Sequence, residues 1–364
     1  MNRIVVKVGS NVLTRQDGTL DVTKISSIVD QVANLRQKGY EVILVSSGAV
    51  ACGRSLAGSA RRNISKNGLK LDPVQQRQMY SAVGQVRLMN IYYSLFSDYG
   101  INIGQVLTMK ENFSTRMEYL NQRNCMDVML RSGVVPIVNE NDTVSVTELM
   151  FTDNDELSGL VATMMDADTL IILSNIDGIY DGNPSDASSK VIEKVLPGED
   201  LSQYIRTEKS GFGRGGMITK CSIASKVATE GIRVIIANGK REGILESLLG
   251  MRTEVPHTEF VPSKEVASGV KKWIAHSSGF SKGVVTVNEQ AVKALRGRKA
   301  TSLLLVGVVS VEGEFDEGDI VLVKGQDGRE IALGRTSYSS AEANANIGAH
   351  DIRPLVHCDY LYMI

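Results

Sequence analysis

The front two-thirds of the chain alternates short, continuous aliphatic runs with longer stretches in which apolar residues recur every three or four positions. The runs Ile4–Val8, Val42–Ser46, Ile103–Leu107, Val134–Val138, Thr169–Leu173 and Val234–Ala237 predict strands. Because they do not alternate with polar residues, they predict a parallel sheet buried on both faces. Between the first two, Val22, Ile25, Ile28, Val29, Val32 and Leu35 trace a helix, with Gly39 as its stop signal. Helical spacing also runs over Pro73–Ser97, Thr115–Ser132, Glu156–Met165 and Met217–Glu230. The expectation is an α/β domain over residues 1–262, a doubly wound, mostly parallel sheet with helices on both faces.

The pattern changes at Arg252–Lys264, which holds Pro256 and Pro262 and no clear period, and reads as a connection ending near residue 265. Beyond it, Gly283–Val287, Leu303–Val309, Ile320–Val323 and Ile331–Leu333 predict strands. The pairs Glu312-Gly313, Glu317-Gly318 and Asp327-Gly328 predict turns between them. A small, mostly β domain over residues 270–353 is expected.

Composition narrows the function classes. The 364 residues carry 40 basic and 41 acidic side chains, a net charge of −1. The part from Val270 onward holds 11 of each, so no basic arm advertises nucleic acid. The aliphatic runs are too short for a membrane span, and the one near the N-terminus is broken by Lys7, unlike a signal peptide. Cys52, Cys125, Cys221 and Cys358 form no C-x-x-C pair and read as small core residues in a reducing cytoplasm. His257, His276, His350 and His357 lack metal-ligand spacing, so no protein metal site is expected.

In open α/β sheets ligands sit outside the carboxyl ends of the strands, and those positions are small or polar here. They read Lys7-Val8-Gly9-Ser10-Asn11, Ser46-Ser47-Gly48-Ala49, Asn139-Glu140-Asn141-Asp142 and Ser174-Asn175. Gly211, Gly213 and Gly216 satisfy G-x-G-x-x-G, but no buried strand precedes them, so the dinucleotide reading fails its context. No Walker A, H-R-D or D-F-G motif is present. What remains is a glycine loop entering a helix whose first turn carries Lys220, a combination suited to a phosphate. Taken alone, the loop fits a solvated turn equally well. Asp153 and Asn154 likewise suit helix capping as well as function. Arg61, Arg62, Lys66 and Lys70 read as a solvated loop.

Taken in order, Lys7-Val8-Gly9-Ser10, Ser47-Gly48-Ala49, Ile137-Val138-Asn139-Glu140-Asn141-Asp142, Asp153-Asn154-Asp155 and Gly215-Gly216-Met217-x-Thr219-Lys220 resemble the glutamate 5-kinases of the amino acid kinase family. The tail resembles the PUA domain that many of them carry. The resemblance implies ATP-dependent phosphorylation of the L-glutamate γ-carboxylate to L-glutamyl 5-phosphate, the first step of proline biosynthesis. It implies phosphoryl contacts from Lys7 and Lys220, held apart by Asp155, with backbone donors at Gly9 and Ser10. It places glutamate against Ser47, Asp142 and Asn154. It places ATP against Ser174, Asn175, Arg214, Gly215, Gly216, Met217, Ile218, Thr219 and Lys220, with Mg²⁺ arriving on the nucleotide. Two positions depart from the family pattern: Thr152 stands where glycine is usual, and Arg214 where threonine is common.

A carboxylate substrate is already a nucleophile, which agrees with the lack of an evident Ser/His pair. Aspartate and N-acetylglutamate kinases remain as alternatives, since one methylene is worth only about 1–3 kcal/mol. PUA domains often bind RNA, but the neutral tail argues against RNA as a partner. The family also implies homo-oligomers, dimers or tetramers, and proline as a feedback inhibitor.

Overall fold

The computed structural model describes residues 2–56, 71–145, 154–184, 186, 188–201, 217–264, 269–275, 280–297 and 301–364. They form two compact units, one of Met1–Lys110 with Asn121–Val266, the other of Glu111–Leu120 with Ala267–Ile364.

The first unit is built on an eight-stranded sheet in the order β3-β4-β2-β1-β5-β7-β8-β6. Its strands are β1 (Arg3–Val8), β2 (Glu41–Ser46), β3 (Ile103–Thr108), β4 (Val135–Glu140), β5 (Thr169–Ser174), β6 (Lys194–Val195), β7 (Arg233–Asn238) and β8 (His257–Phe260). Pairing is parallel from β3 through β7, with Val8 opposite both Ser46 and Leu173, and Ser174 opposite Asn238. The carboxyl ends of the central strands therefore share one edge. Every residue of β4 and β5 is buried, as the unbroken aliphatic runs require. Pro136 has no N–H to give, and the β2–β4 pairing includes Ile137 and Val138 only.

The stretch expected to be a bare connection contains a strand. β8 runs antiparallel to β7 and parallel to β6, and its alternating pattern buries Thr258 and Phe260. Four residues just past Pro256 are too few to show a period in sequence.

The helices of this unit begin with α1 (Ser10–Leu13), α2 (Val22–Gln37) and α3 (Pro73–Ser97). They continue with α4 (Arg116–Arg131), whose first residues belong to the second unit, then α5 (Asn154–Met164), α6 (Met217–Thr229) and α7 (Ile244–Leu248). Asp21 caps α2 by accepting from the Lys24 amide at 3.2 Å. The α3 start is a capping box, Asp72 and Gln75 bonding each other's backbone, with Pro73 in the first turn. Ile25, Ile28, Val29 and Val32 of α2 and Leu88, Tyr92 and Phe96 of α3 join Val6, Leu44 and Ile171 in one core. Full burial of one such aliphatic side chain contributes about 1.5–3 kcal/mol. α5, buried almost throughout, packs against β1, β2, β4, β5 and α6.

The second unit holds a five-stranded sheet, β10-β9-β11-β12-β13. The strands are β9 (Gly283–Val287), β10 (Val308–Gly313), β11 (Ile320–Gly325), β12 (Glu330–Arg335) and β13 (Leu361–Met363), with helices α8 (Gly269–Ala275), α9 (Glu289–Leu295) and α10 (Ser340–Ala345). Gly313, Gly318 and Gly328 all have left-handed φ, between +77° and +96°, which explains the glycine at each expected turn. The run Leu303–Val309 is not one strand: Leu303 makes an isolated antiparallel bridge with Val356, Leu305–Gly307 forms a 3₁₀ turn, and the pairing with β9 starts at Val308. Leu303 and Leu305 are buried in this unit's core, so burial made the run aliphatic. Trp273 of α8 is buried and donates its indole N–H to the Phe113 carbonyl at 2.9 Å. The Arg116 guanidinium lies 5.8 Å from the Trp273 ring centre and 5.3 Å from that of Tyr119. Residues 111–120 join this unit through long-range contacts that local periodicity does not encode.

Cys52 and Cys221 are buried as expected, but Cys125 is exposed and Cys358 half-buried, and all four are free thiols. No helix among the described residues is long and apolar enough to cross a membrane.

Candidate active site

β1 ends in Lys7-Val8, and Lys7 is 5% exposed although it carries a charge. Such burial is costly without a partner. Its Nζ is ion-paired with Asp155 Oδ1, and Lys220 Nζ lies 2.8 Å from Asp155 Oδ2. Lys7 sits on β1, Asp155 in the first turn of α5, and Lys220 in the first turn of α6. Gly159 explains how the two helices come close enough: a Cβ there would lie 3.0–3.1 Å from Ile223 and Val227 of α6. Burial pushes the Asp155 carboxyl upward, but the two ammonium groups outweigh it and hold the carboxyl below the ordinary range. The result is two cations fixed around one ionised carboxylate.

Ser47 and Asn154 also meet. Asn154 Nδ2 donates to Ser47 Oγ at 2.8 Å and to Asn139 Oδ1 at 3.1 Å. Asn139 in turn donates to Gln85 Oε1 of α3 at 3.0 Å. Asp142 is buried, and Arg77 of α3 is ion-paired with its Oδ1. Arg77 Nη2 also lies 3.5 Å from Glu140 Oε2. Ser81 reaches Asp142 Oδ2 at 3.5 Å, and Gln78 donates to the Thr143 carbonyl at 2.9 Å. Asn139 to Thr143 is thus pinned by one side of α3. Sequence reading named that helix but passed over Arg77, Ser81 and Gln85, whose four-residue spacing is the available signal. α3 approaches closely because Gly53 and Gly84 lack side chains: a Cβ on either would collide with the opposing backbone at Tyr80 or Ala49.

At the neighbouring strand ends, Gly9 donates its N–H to the Leu173 carbonyl at 3.2 Å, and a Cβ there would lie 3.5 Å from Lys7 Nζ. Its amide is therefore already engaged with β5, and a Cβ would crowd that same carbonyl oxygen at 3.2 Å. Ser10 opens α1 and is exposed. Ser174 is buried at the end of β5 and bonds Asn175 Oδ1 at 3.4 Å, while Asn175 is exposed. Past them, Asp177 accepts from Arg241 Nε at 2.7 Å and Nη2 at 2.8 Å, tying the loop after β5 to the loop after β7. The Arg241 bonds hold the Asp177 carboxyl below its ordinary value. Neither residue was singled out from sequence.

Met217, Ile218 and Thr219 precede Lys220 in the first turn of α6, with Ile218 exposed. Arg214, Gly215 and Gly216, the rest of the glycine loop, Thr152, Asp153 and the basic positions 61–70 lie outside the described residues. Cys221, next to Lys220, is buried, and that burial pushes its thiol up to about 12, away from the thiolate form.

Two other features lie elsewhere. A cavity of about 1190 Å³ opens at the amino-terminal edge of the first sheet, lined by residues including Asn2, Asp168, Lys190, Arg233, Arg252 and Glu259. Its lining mixes both signs and includes none of Lys7, Asp155 and Lys220. In the second unit His357, Cys358 and Asp359 offer atoms within 4.8 Å of one another, but they are consecutive residues, and His357 and Asp359 are exposed. The converging buried groups are at the carboxyl edge.

The amino acid kinase family model matches residues 2–238, and the PUA domain model matches residues 283–354. The glutamate 5-kinase of Bacteroides thetaiotaomicron is 59% identical over 361 residues, covering 99% of this chain and 98% of that protein. The glutamate 5-kinase of Chlorobaculum tepidum is 47% identical over 368 residues, covering 100% and 97%. Among solved structures, the carbamate kinase from Giardia lamblia bound to AMP-PNP has a TM-score of 0.52 at 15% identity, covering 72% of this chain and 99% of that one, a likeness of fold. With the family model spanning most of the chain and relatives matching it end to end, the protein belongs to the amino acid kinase family and carries a PUA domain after the kinase fold.

Proposed function

We propose that the protein transfers the γ-phosphoryl group of ATP to the γ-carboxylate of L-glutamate, giving L-glutamyl 5-phosphate for proline biosynthesis in the cytoplasm. The observation that carries the reading is the buried Lys7–Asp155–Lys220 triad next to the Ser47–Asn154–Asn139 network. The relatives named above support the choice of glutamate.

The attacking γ-carboxylate is ionised at neutral pH and needs no general base. The protein's work is to align it with the γ-phosphorus and to offset charge moving between phosphate oxygens. Lys7 and Lys220 are placed for the second task by Asp155, which keeps two ammonium groups at fixed separation without neutralising both. Ser47 and Asn154 supply a hydroxyl and an amide for the substrate's carboxylates, and Asp142 takes its α-ammonium. ATP lies along Gly9 and Ser10, Ser174 and Asn175, and the segment Arg214, Gly215, Gly216, Met217, Ile218, Thr219 and Lys220. Asp155 is committed to two lysines, a donor set that suits a Mg²⁺ ion carried by the phosphates rather than caged by protein. When bound, that ion supplies further neutralisation of phosphate charge.

An N-acetylated substrate lacks the ammonium that Asp142 and Glu140 are suited to meet. Proline, a secondary ammonium with a carboxylate, suits the same acidic groups and is the expected inhibitor. The exposed Val83, Val86 and Tyr93 of α3 favour a homo-oligomer. RNA is not favoured, because the part of the chain from Val270 onward carries 11 basic and 11 acidic side chains and so no net positive charge. The test is an ATP-dependent hydroxamate assay with glutamate, aspartate and N-acetylglutamate in parallel. Glutamate is expected to react fastest by at least tenfold, and activity on aspartate without glutamate overturns the reading.

A further inference from the structure

We propose that Arg77 binds the substrate's α-carboxylate, so that Arg77 and Asp142 together form a clamp for the zwitterionic end of the amino acid. The inference rests on the glutamate reading above and assigns a residue that the family motifs do not include.

An amino acid carries its ammonium and α-carboxylate on the same carbon. A site that holds the ammonium on Asp142 therefore needs a cation immediately beside that carboxylate. Lys7 and Lys220 are held by Asp155, at the ends of β1 and α6. Arg77 is the cation ion-paired with Asp142. Its side chain is 25% exposed, so a ligand can reach it, while the two carboxylates it faces are 6–8% exposed. A planar guanidinium carries five N–H donors in a fork that matches a carboxylate. Its Nη2 faces Asp142 and Glu140, and a fork of five donors can serve the substrate's carboxylate beside them.

A second observation on the same face of α3 points to a ligand. Gln85, two helical turns beyond Arg77, is 7% exposed, and its Nε2 has no hydrogen-bond partner among the described residues. Its Oε1 is taken by Asn139, which is bonded to Asn154 and so to Ser47. A buried amide donor left over in the network proposed to hold the substrate is a donor waiting for an acceptor, and a carboxylate oxygen is the acceptor this substrate brings. The capping box at Asp72 and the Gln78 bond to Thr143 fix the helix and its loop, so the face is set before the substrate arrives.

The test compares glutamate with two analogues, each lacking one charged group: 4-aminobutyrate has no α-carboxylate, and glutarate has no ammonium. Phosphorylation is read as ADP release with hydroxylamine trapping. In the wild type, both analogues are expected to have kcat/KM at least 100-fold below glutamate. In Arg77→Gln, KM for glutamate should rise at least 30-fold with kcat within about threefold and KM for ATP unchanged. The preference for glutamate over 4-aminobutyrate should collapse to within about fivefold, while the preference over glutarate persists. Asp142→Asn should give the reverse pattern. Arg77→Lys keeps the charge without the fork and should restore part of the 4-aminobutyrate discrimination, and it supplies the measurement if Arg77→Gln does not fold. Equal losses on glutamate and 4-aminobutyrate in either variant would show that Arg77 only supports Asp142, and the proposal falls. If the wild type does not phosphorylate glutamate at all, it is the functional reading that fails, a separate result.

Discussion

The two units treat charge in opposite ways. In the first, charged side chains from distant parts of the sequence converge on buried carboxylates: Lys7 and Lys220 on Asp155 at one place, Arg77 on Glu140 and Asp142 at another. In the second, the ion pairs Lys282–Asp319, Lys324–Glu330, Arg329–Asp327 and Arg353–Glu317 lie on or near the surface, each with at least one side chain more than half exposed. Its buried polar side chain among the described residues is a threonine, Thr336. Burying a charge costs several kcal/mol unless its partners are well placed, whereas an exposed pair contributes about 0–1 kcal/mol. Among the described residues, convergence on buried carboxylates therefore distinguishes the first unit, while the ion pairs named in the second are solvent-exposed.

The sharpest way to break this contrast is Asp155→Asn. It leaves two ammonium groups facing each other without their carboxylate, and removing one partner of a buried pair costs about 3–5 kcal/mol. The pH dependence follows from the same ion pairs. The Asp155 carboxyl sits below its ordinary 3.8 in the folded protein, held there by Lys7 and Lys220 against its burial. Its contribution to stability is therefore complete above the unfolded value and is lost only as pH falls through the lower, folded one. Urea unfolding should show a constant gap between wild type and variant from pH 7 to about pH 5, closing only at more acid pH. A gap that already shrinks between pH 7 and 6 would show that the triad is not held as described.

Next comes Lys220→Ala, which removes one of the two proposed phosphoryl contacts and leaves Asp155 paired with Lys7. Turnover should drop about 10²–10³-fold, or about 2.7–4 kcal/mol of transition-state stabilisation. The far-ultraviolet circular dichroism should be unchanged. Unaltered kcat would take Lys220 off the catalytic list.

The contrast also governs what could be read from sequence. The six aliphatic strands of the kinase unit are legible because a parallel strand buried on both faces must be apolar throughout. The motif around Lys7 is legible because a polar residue and glycine at a strand end break that rule, whereas Asp155 and Lys220 are legible through the acidic-amide run and the glycine loop that precede their helices. Arg77 was not, since an arginine on a long amphipathic helix looks like solvated surface until Asp142 is placed beside it. β8 failed for want of length, and Leu303–Val309 read as a strand because core residues in a 3₁₀ turn are as aliphatic as those in a sheet. Helical spacing over Thr115–Ser132 places residues 115–120 in the first domain, whereas Trp273, 160 positions from Phe113, ties residues 111–120 to the second unit.

Within the second unit, packing should outweigh charge. Trp273→Phe keeps a ring in the core but removes the indole donor from the Phe113 carbonyl and leaves space behind. A loss of about 1–2 kcal/mol is expected, read as earlier hydrogen exchange or proteolysis in residues 111–120 and 267–364. A neutral outcome would mean that the Phe113 segment is held by other contacts.

The smallest effect belongs to Arg329→Ala. Arg329 Nε lies 3.5 Å from Asp327 Oδ2, with side chains 77% and 59% exposed, so water and salt screen the pair and both side chains keep most of their freedom without it. Thermal unfolding should shift by about 1 °C or less. The same near-neutral surface predicts weak RNA binding: affinity for a single strand rises with each phosphate neutralised, and its dependence on salt steepens by about 0.7 per contact. Four of the eleven basic side chains from Val270 onward, Lys282, Lys324, Arg329 and Arg353, already have an acidic partner, and eleven acidic side chains offset the set as a whole. Filter binding should therefore show no tight, salt-sensitive complex with the wild type, and Arg329→Ala should not change that. A steep salt slope that Arg329→Ala reduces by one contact would overturn the contrast where it is weakest, because it would mean that these local pairs open to receive phosphate.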